Sequence, residues 1–92
     1  MNYKLRFTTN ALKDIEFHKK SGDKKLLLKI KLLLEELMKH PKTGTGQPEQ
    51  LKYNLKGLYS RRINKKHRLI YKIENDISTV VILSAYSHYD DK

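Results

Sequence analysis

The sequence GLYSRRINKKHRLIY, from Gly57 to Tyr71, decides how this chain folds. Apolar and polar residues alternate on either side of the short polar break NKK, which is the pattern of two β-strands joined by a tight turn. The same stretch carries three arginines and two lysines. Such a cationic hairpin either keeps the edge of a sheet soluble or faces a strongly anionic ligand.

The amino-terminal half of the chain predicts one strand and two helices. Residues 2–7 alternate apolar and basic side chains, as a half-buried strand does. The side-chain oxygens at 8–10 are suited to cap a first helix, which continues to a break at 21–23 where a second helix can begin. That second helix spans 24–40, with leucines at helical spacing, and Pro41 ends it because a proline cannot continue a helix.

The carboxyl-terminal half predicts a loop and then a sheet. Residues 41–50 are rich in Pro, Gly and Thr and indicate a loop. Strands follow at 58–63, 67–73 and 78–89, and the turns between them are short, so we expect an antiparallel meander. The fold class is therefore α+β, with the long helix on one face of the sheet and the other face open.

Composition limits the class of protein. The 92 residues suit a single domain, which we assign to 1–92, and there is no cysteine for a disulfide or thiolate metal site. The start has no apolar signal-peptide core, and no apolar run reaches the roughly 20 residues of a membrane span. We therefore expect a cytoplasmic protein without membrane contact. The net charge of +10 favours a nucleic acid or ribonucleoprotein partner, although lysines for solubility are the simpler alternative.

Strand alternation separates the two neighbouring arginines of the hairpin. Adjacent residues of a regular strand point to opposite faces, so only one of Arg61 and Arg62 can join Arg68 on the open face. Leu69 and Tyr71 are predicted to face the helices. In the last strand both sets of side chains are largely apolar, and polarity does not separate its faces.

Acid–base chemistry on this open face would need a carboxylate and a histidine. Glu49, in the predicted loop, is the candidate carboxylate. Among the four histidines, we predict that His18, on a helix, and His40, before a proline, are solvated side chains. His67 opens a strand and is also assigned no chemical role. His88 is the best candidate because tyrosines lie close to it in the sequence.

Residues 48–73, PEQLKYNLKGLYSRRINKKHRLIYKI, together with SHY at 87–89, closely resemble the YoeB (Txe) toxins of the RelE superfamily. The resemblance covers almost the whole chain, and its ordered motifs are more specific than any single short one. It implies a microbial-ribonuclease-like α+β fold. It also implies an endoribonuclease that cuts messenger RNA in the ribosomal A site and inhibits translation.

The resemblance assigns roles to six residues. Glu49 corresponds to the general base, His88 to the general acid and Arg68 to the group that stabilises the transition state. Contacts to the substrate are implied for three others: Lys52 and Arg62 at phosphates, and Tyr89 beside the histidine. Arg61 is left out of the site because alternation places it on the other face.

The resemblance also implies partners and the absence of cofactors. RNA contains its own nucleophile, the 2′-OH, so no metal or cofactor is expected. Besides messenger RNA and the ribosome, an acidic antitoxin of the YefM or Axe type is the expected partner, and a homodimer is compatible with the family. The tail at 90–92 departs from the usual ending of the family, and we expect it to be flexible.

Two other functions are open at this point. One is a non-catalytic toxin of the same superfamily, such as the gyrase-directed ParE-like branch. The other is a basic protein that only binds RNA or the ribosome. The presence of Glu49, Arg68 and His88 together favours the nuclease, because a protein that only binds has no need of a general base.

Overall fold

The computed structural model describes residues 2–46, 48–51 and 57–86. The elements in these residues are listed here in chain order: β1 (Lys4–Phe7), α1 (Thr9–Ser21), α2 (Lys24–Lys39), β2 (Glu49–Gln50), β3 (Leu58–Arg62), β4 (Arg68–Glu74), a 3₁₀ turn (Asn75–Ile77) and β5 (Thr79–Ser84). Neither of the two helices within these ranges is long and apolar enough to cross a lipid bilayer.

The strands form one mixed sheet in the order β1-β5-β4-β3-β2. The predicted antiparallel meander is confirmed, since β3 pairs with β4 and β4 with β5 in antiparallel fashion. β1 pairs with β5 in parallel, a pairing that was not predicted from the sequence. Parallel strands need a long crossover connection, and the chain between β1 and β5 includes both helices.

The prediction of a loop over 41–50 is wrong at its end. Glu49 and Gln50 form β2 and pair with Ser60 and Tyr59 of β3. Two residues are too few for an alternating pattern to be visible in the sequence, and the partner strand supplies their register. The carboxylate predicted to lie in a loop therefore stands on the edge of the sheet.

The predicted helix boundaries are confirmed by their caps. Thr8 caps α1 by accepting a hydrogen bond from the Ala11 amide at 3.1 Å, and Asp23 caps α2 by accepting one from the Leu26 amide at 3.1 Å. Gly22 ends α1 with φ of 76°, a left-handed conformation that glycine adopts without strain. Each cap satisfies backbone groups that the helix itself leaves unpaired.

The core lies between the helices and one face of the sheet. The sheet contributes alternate residues of β4 and β5, namely Leu69, Tyr71, Val80 and Ile82. The core face of the last strand, which polarity did not identify, is therefore the one that carries Val80 and Ile82. α2 contributes side chains at helical spacing: Leu26, Ile30, Leu33 and Leu37. Of the other apolar side chains of α2, Met38 is exposed.

Candidate active site

The open face of the sheet brings β2, β3 and β4 together. Glu49 of β2 is the register partner of Ser60, and Arg62, two residues further along β3, is the register partner of Arg68. Register partners point to the same face of a sheet, as do residues two apart in a strand. Glu49, Arg62 and Arg68 therefore share one face, as alternation and the family resemblance together predicted for the two arginines.

Glu49 and Arg68 form a loose ion pair. Arg68 Nη1 lies 3.8 Å from Glu49 Oε1, and their side chains are 24% and 66% exposed. A pair this accessible contributes about 0–1 kcal/mol to stability, because water screens the attraction. The carboxylate is thus held near a guanidinium and remains open to an incoming ligand.

Three of the six predicted site residues are brought together in this way, namely Glu49, Arg62 and Arg68. The other three, Lys52, His88 and Tyr89, lie outside the described residues, as does the predicted flexible tail at 90–92. Their placement relative to Glu49 stays a prediction.

Ser60 lies at the centre of the open face, between Glu49 and β4. Its register partners are Glu49 on one side and Ile70 on the other, and Ile70 in turn pairs with Ser84. The side chains of Ser60, Ile70 and Ser84 are buried, and the register with β5 shifts between Ile70 and Tyr71. Neither serine hydroxyl has a hydrogen-bond partner among the described residues.

The opposite face of β3 carries Arg61, for which no role was predicted. The Arg61 side chain is fully buried, and its Nη1 donates to Glu36 Oε1 at 2.9 Å. Its Nε donates to the Tyr71 hydroxyl at 3.1 Å, and its Nη2 donates to the carbonyls of Thr43, at 2.6 Å, and His40. A guanidinium can be buried at this position because its donors find acceptors.

The partners of Arg61 are themselves held by further hydrogen bonds. Thr45 donates to Glu36 through its amide, at 2.8 Å, and through its hydroxyl, at 2.6 Å. The Thr45 hydroxyl bond lowers the pKa of Glu36 most, Arg61 lowers it further, and burial opposes both. Burial raises the pKa of Tyr71, whose hydroxyl donates to the Pro41 carbonyl at 2.8 Å. Glu36 therefore remains an ionised partner for Arg61.

A signal for this cluster was present in the sequence. Alternation placed Arg61 on the same side as the core residue Tyr71, and a charged side chain on a core face requires a buried partner. Glu36 in the second helix was available for that role, but the sequence did not show which acidic residue would face β3.

The prediction that His18 is solvated is wrong. The ring is buried, and its Nε2 lies 2.7 Å from the Ala85 carbonyl oxygen, so Nε2 carries the proton and donates. Asp14, one helical turn earlier, accepts from the Ala85 amide at 2.9 Å. No local pattern in the sequence of α1 indicates that the end of β5 packs beside these residues. His40 is exposed, as predicted.

His67 is also buried and packs beside His18. The two ring centroids lie 4.8 Å apart, and Tyr86 packs on His67 at 4.7 Å. These rings lie where α1 meets the end of β5. The burial of His67 among these rings is consistent with a structural setting.

Comparison with known proteins agrees with this fold. The family model described as the YoeB-like toxin of bacterial type II toxin–antitoxin systems matches residues 7–89. Toxin YoeB of Synechocystis is 42% identical over 86 residues, which cover 94% of this chain and 96% of that protein. Toxin YoeB of Escherichia coli is 40% identical over 67 residues, covering 73% and 77% of the two chains.

Solved structures give the same result. A YoeB/ParE toxin from Agrobacterium tumefaciens superposes with a TM-score of 0.87 at 31% identity, covering 94% of this chain and 99% of that one. The YoeB dimer from Staphylococcus aureus gives 0.82 at 37% identity, covering 97% and 100%. The YoeB–YefM heterotetramer from Staphylococcus aureus gives 0.80 at 37% identity with the same coverage. The predicted α+β RelE-like fold is confirmed, and the chain belongs to the YoeB-like toxins of bacterial type II toxin–antitoxin systems.

Proposed function

We propose that this toxin is an endoribonuclease that cuts messenger RNA in the ribosomal A site and thereby inhibits translation. The observation that carries the proposal is the exposed Glu49 carboxylate, 3.8 Å from Arg68 on the open face, with Arg62 as the strand partner of Arg68. A surface that only bound phosphates would gain nothing from a carboxylate at this position, since the carboxylate repels them. A general base, in contrast, belongs beside the scissile phosphate.

The proposed reaction uses the nucleophile of the RNA. Glu49 accepts the proton of the 2′-OH while that oxygen forms a bond to the adjacent phosphorus. The bond from phosphorus to the 5′-oxygen breaks, and His88 donates a proton to this leaving oxygen. The products are a 2′,3′-cyclic phosphate and a 5′-hydroxyl, and neither a metal nor a cofactor is required.

The arginines supply electrostatic stabilisation in this proposal. The pentacoordinate transition state carries more negative charge on its phosphoryl oxygens than the substrate does, so a fixed cation binds it more tightly. Arg68 is partly buried beside the carboxylate, and its planar guanidinium suits two phosphoryl oxygens at once. Arg62 and Lys52 contact neighbouring phosphates, and Tyr89 positions the substrate.

The partners follow from charge and from the relatives. A net charge of +10 suits ribosomal RNA and also an acidic antitoxin. The Staphylococcus aureus relatives were solved as a dimer and as a complex with YefM. We infer an acidic antitoxin of that kind for this chain, with a segment that covers the cationic open face, and a homodimer as a second assembly.

Primer extension on a translated message tests the proposal. The wild type should produce cuts only when ribosomes are present, and Glu49→Gln, Arg68→Ala and His88→Gln should each abolish most of them. Glu35→Gln, the same chemical change at an exposed residue of α2, is the matched control and should cut like the wild type.

A toxin that stops growth without any cut would contradict the proposal. In that case the binding functions apply, and equal toxicity of the wild type and the three site variants would identify a non-catalytic toxin of the ParE-like or RNA-binding kind.

A further inference from the structure

We propose that Arg61 is a positioning residue for the toxin's reaction: from the buried face of β3 it holds the segment that leads to Glu49 and so sets where that carboxylate stands. The segment concerned is 40–46, between the end of α2 and β2. This inference rests on the proposed nuclease function, in which Glu49 is the general base.

Arg61 binds several points of segment 40–46 at once. It donates to the carbonyls of His40 and Thr43, and a longer contact of 3.5 Å joins Nη1 to the carbonyl of Thr45. The Arg61 side chain therefore contacts three carbonyl groups within a seven-residue segment that forms neither a helix nor a strand. Lysine, with three donors and no planar fork, does not provide the same set of contacts.

Glu36 fixes the same segment from the helix side. It binds Arg61 at 2.9 Å and receives both the amide and the hydroxyl of Thr45. Because Arg61 is fully buried and Glu36 is only 24% exposed, solvent and salt screen this pair less than the open-face pair. Segment 40–46 is thus held between α2 and β3.

The hold reaches Glu49 through the backbone. The Arg62 amide donates to the Gly46 carbonyl at 2.7 Å, so the last residue of the segment is attached to β3. Three residues further on, Glu49 pairs with Ser60 of the same strand. A displacement of the segment at Gly46 would therefore move the start of β2 along or away from β3.

Two glycines show how closely the segment approaches the buried pair. Gly44 has φ of +123°, and a Cβ there would lie 2.5 Å from Glu36 Oε1 and 3.1 Å from Arg61 Nη1. Gly46 has φ of +86°, and a Cβ there would lie 2.9 Å from the Arg62 carbonyl oxygen. A side chain at Gly46 would collide with the β3 backbone, and one at Gly44 would displace either the segment or the Glu36–Arg61 pair.

A purely structural role for Arg61 makes a different prediction from a positioning role. If Arg61 only stabilised the fold, its replacement would lower the amount of folded toxin, whatever residue stood at position 49. If it positions Glu49, its effect on the cleavage rate requires the carboxylate. A double-mutant cycle separates the two cases, because residues that act through each other are not additive.

The experiment is single-turnover cleavage of ribosome-bound message with excess toxin. Arg61→Lys should slow cleavage about 10- to 100-fold, since misplacement of a catalytic group by about 1 Å has that effect. Binding to the ribosome should stay within about twofold of the wild type. Arg6→Lys, the same substitution at an exposed residue of β1, is the control and should cleave normally.

A second pair of variants leaves the buried charge in place. Thr45→Val removes the hydroxyl that donates to Glu36, whereas Thr45→Ser keeps a hydroxyl. We expect Thr45→Val to slow cleavage about 3- to 10-fold, the loss of one charge-assisted hydrogen bond, and Thr45→Ser to restore it. Thermal unfolding verifies that each variant is folded at the assay temperature. If Arg61→Lys is unfolded there, the Thr45→Val and Thr45→Ser pair tests the positioning role instead.

The decisive comparison repeats the substitutions in the Glu49→Gln background, with residual cleavage read at long times. If Arg61 positions Glu49, Arg61→Lys and Thr45→Val should not slow cleavage further in the Glu49→Gln background. Equal fold-losses in both backgrounds would establish a structural role and overturn it, as would wild-type rates for Arg61→Lys. A wild type that cleaves nothing would instead overturn the proposed function, and this inference with it.

Discussion

Arg61 and Arg62 are neighbours in β3, yet the sheet gives them opposite surroundings. Arg61 is fully buried among fixed acceptors, while Arg62 is exposed opposite Arg68. The ion pairs on the two faces differ in the same way. On the buried face Glu36 lies 2.9 Å from Arg61, whereas on the open face Glu49 lies 3.8 Å from Arg68 and is mostly exposed. A tight, buried pair organises the backbone, whereas the loose pair leaves the Glu49 carboxylate mostly exposed to solvent.

The comparison is most severely tested by removing each arginine. Arg61→Ala should lower the free energy of unfolding by about 3–5 kcal/mol, because it leaves Glu36 and several carbonyls without their donor. Arg62→Ala should change it by less than about 0.5 kcal/mol, as is usual for an exposed side chain. Urea denaturation measures both, and similar values for the two variants would contradict the assignment of the faces.

The activity of the open face should show the reverse order. Arg68→Ala is expected to reduce single-turnover cleavage about 100- to 1000-fold, the effect of removing a preorganised group from a developing charge. Its free energy of unfolding should change by about 1 kcal/mol or less, since the ion pair with Glu49 is accessible to water. Cleavage and denaturation measured on the same preparation test this, and a variant that unfolds but cleaves normally when folded would reverse the prediction.

Lowering the pH should weaken the buried cluster. The hydrogen bond from Thr45 and then the charge of Arg61 depress the pKa of Glu36, so the unfolded chain takes up this proton at a higher pH than the folded one. The stabilisation is therefore complete above the ordinary glutamate pKa of about 4.3 and is lost as the pH falls through the depressed value.

Glu36→Gln isolates that contribution. At pH 7 the variant should be less stable by about 1–2 kcal/mol, as expected for weakened hydrogen bonds to a charged group. Its melting temperature should approach that of the wild type as the pH is lowered from 7 to 3. A difference that stays constant over this range would show that the charge of Glu36 does not stabilise the fold.

The smallest expected effect concerns the buried serine on the open face. Ser60→Ala should be neutral or slightly stabilising, within about 1 kcal/mol, because it removes a buried hydroxyl that has no partner among the described residues. Thr8→Ala, which removes the hydroxyl that caps α1, should cost about 1 kcal/mol. Thermal unfolding compares the two, and a larger loss for Ser60→Ala would reveal a contact of that hydroxyl.

Much of the site was predictable because its geometry is local. Alternation in β3 was enough to predict that only one of Arg61 and Arg62 shares the face of Arg68, and the family resemblance selected Arg62, which the register confirms. The helix caps at Thr8 and Asp23 were predictable for the same reason, since a cap involves residues only a few positions apart.

The missed features all depend on contacts between distant parts of the chain. The parallel pairing of β1 with β5, the strand formed by Glu49 and Gln50, and the burial of His18 under Ala85 have no local pattern. In each case the partner is a segment distant in the sequence, which comes into contact only in the folded tertiary structure. Propensity and periodicity do not encode such partners.

The sequence by itself determined the order of the two helices and of all the strands except β2, the alternation that separates Arg61 from Arg62, and the family to which the chain belongs. Only the tertiary structure decided that Glu49 stands on an edge strand, with its carboxylate 3.8 Å from the Arg68 guanidinium. It also decided that Arg61 joins α2 to segment 40–46, which precedes that strand. The physical reason is the distance along the chain over which each kind of interaction acts. Backbone periodicity and capping act over a few residues, whereas the environment of a charge is set by whichever distant groups the packed core brings against it.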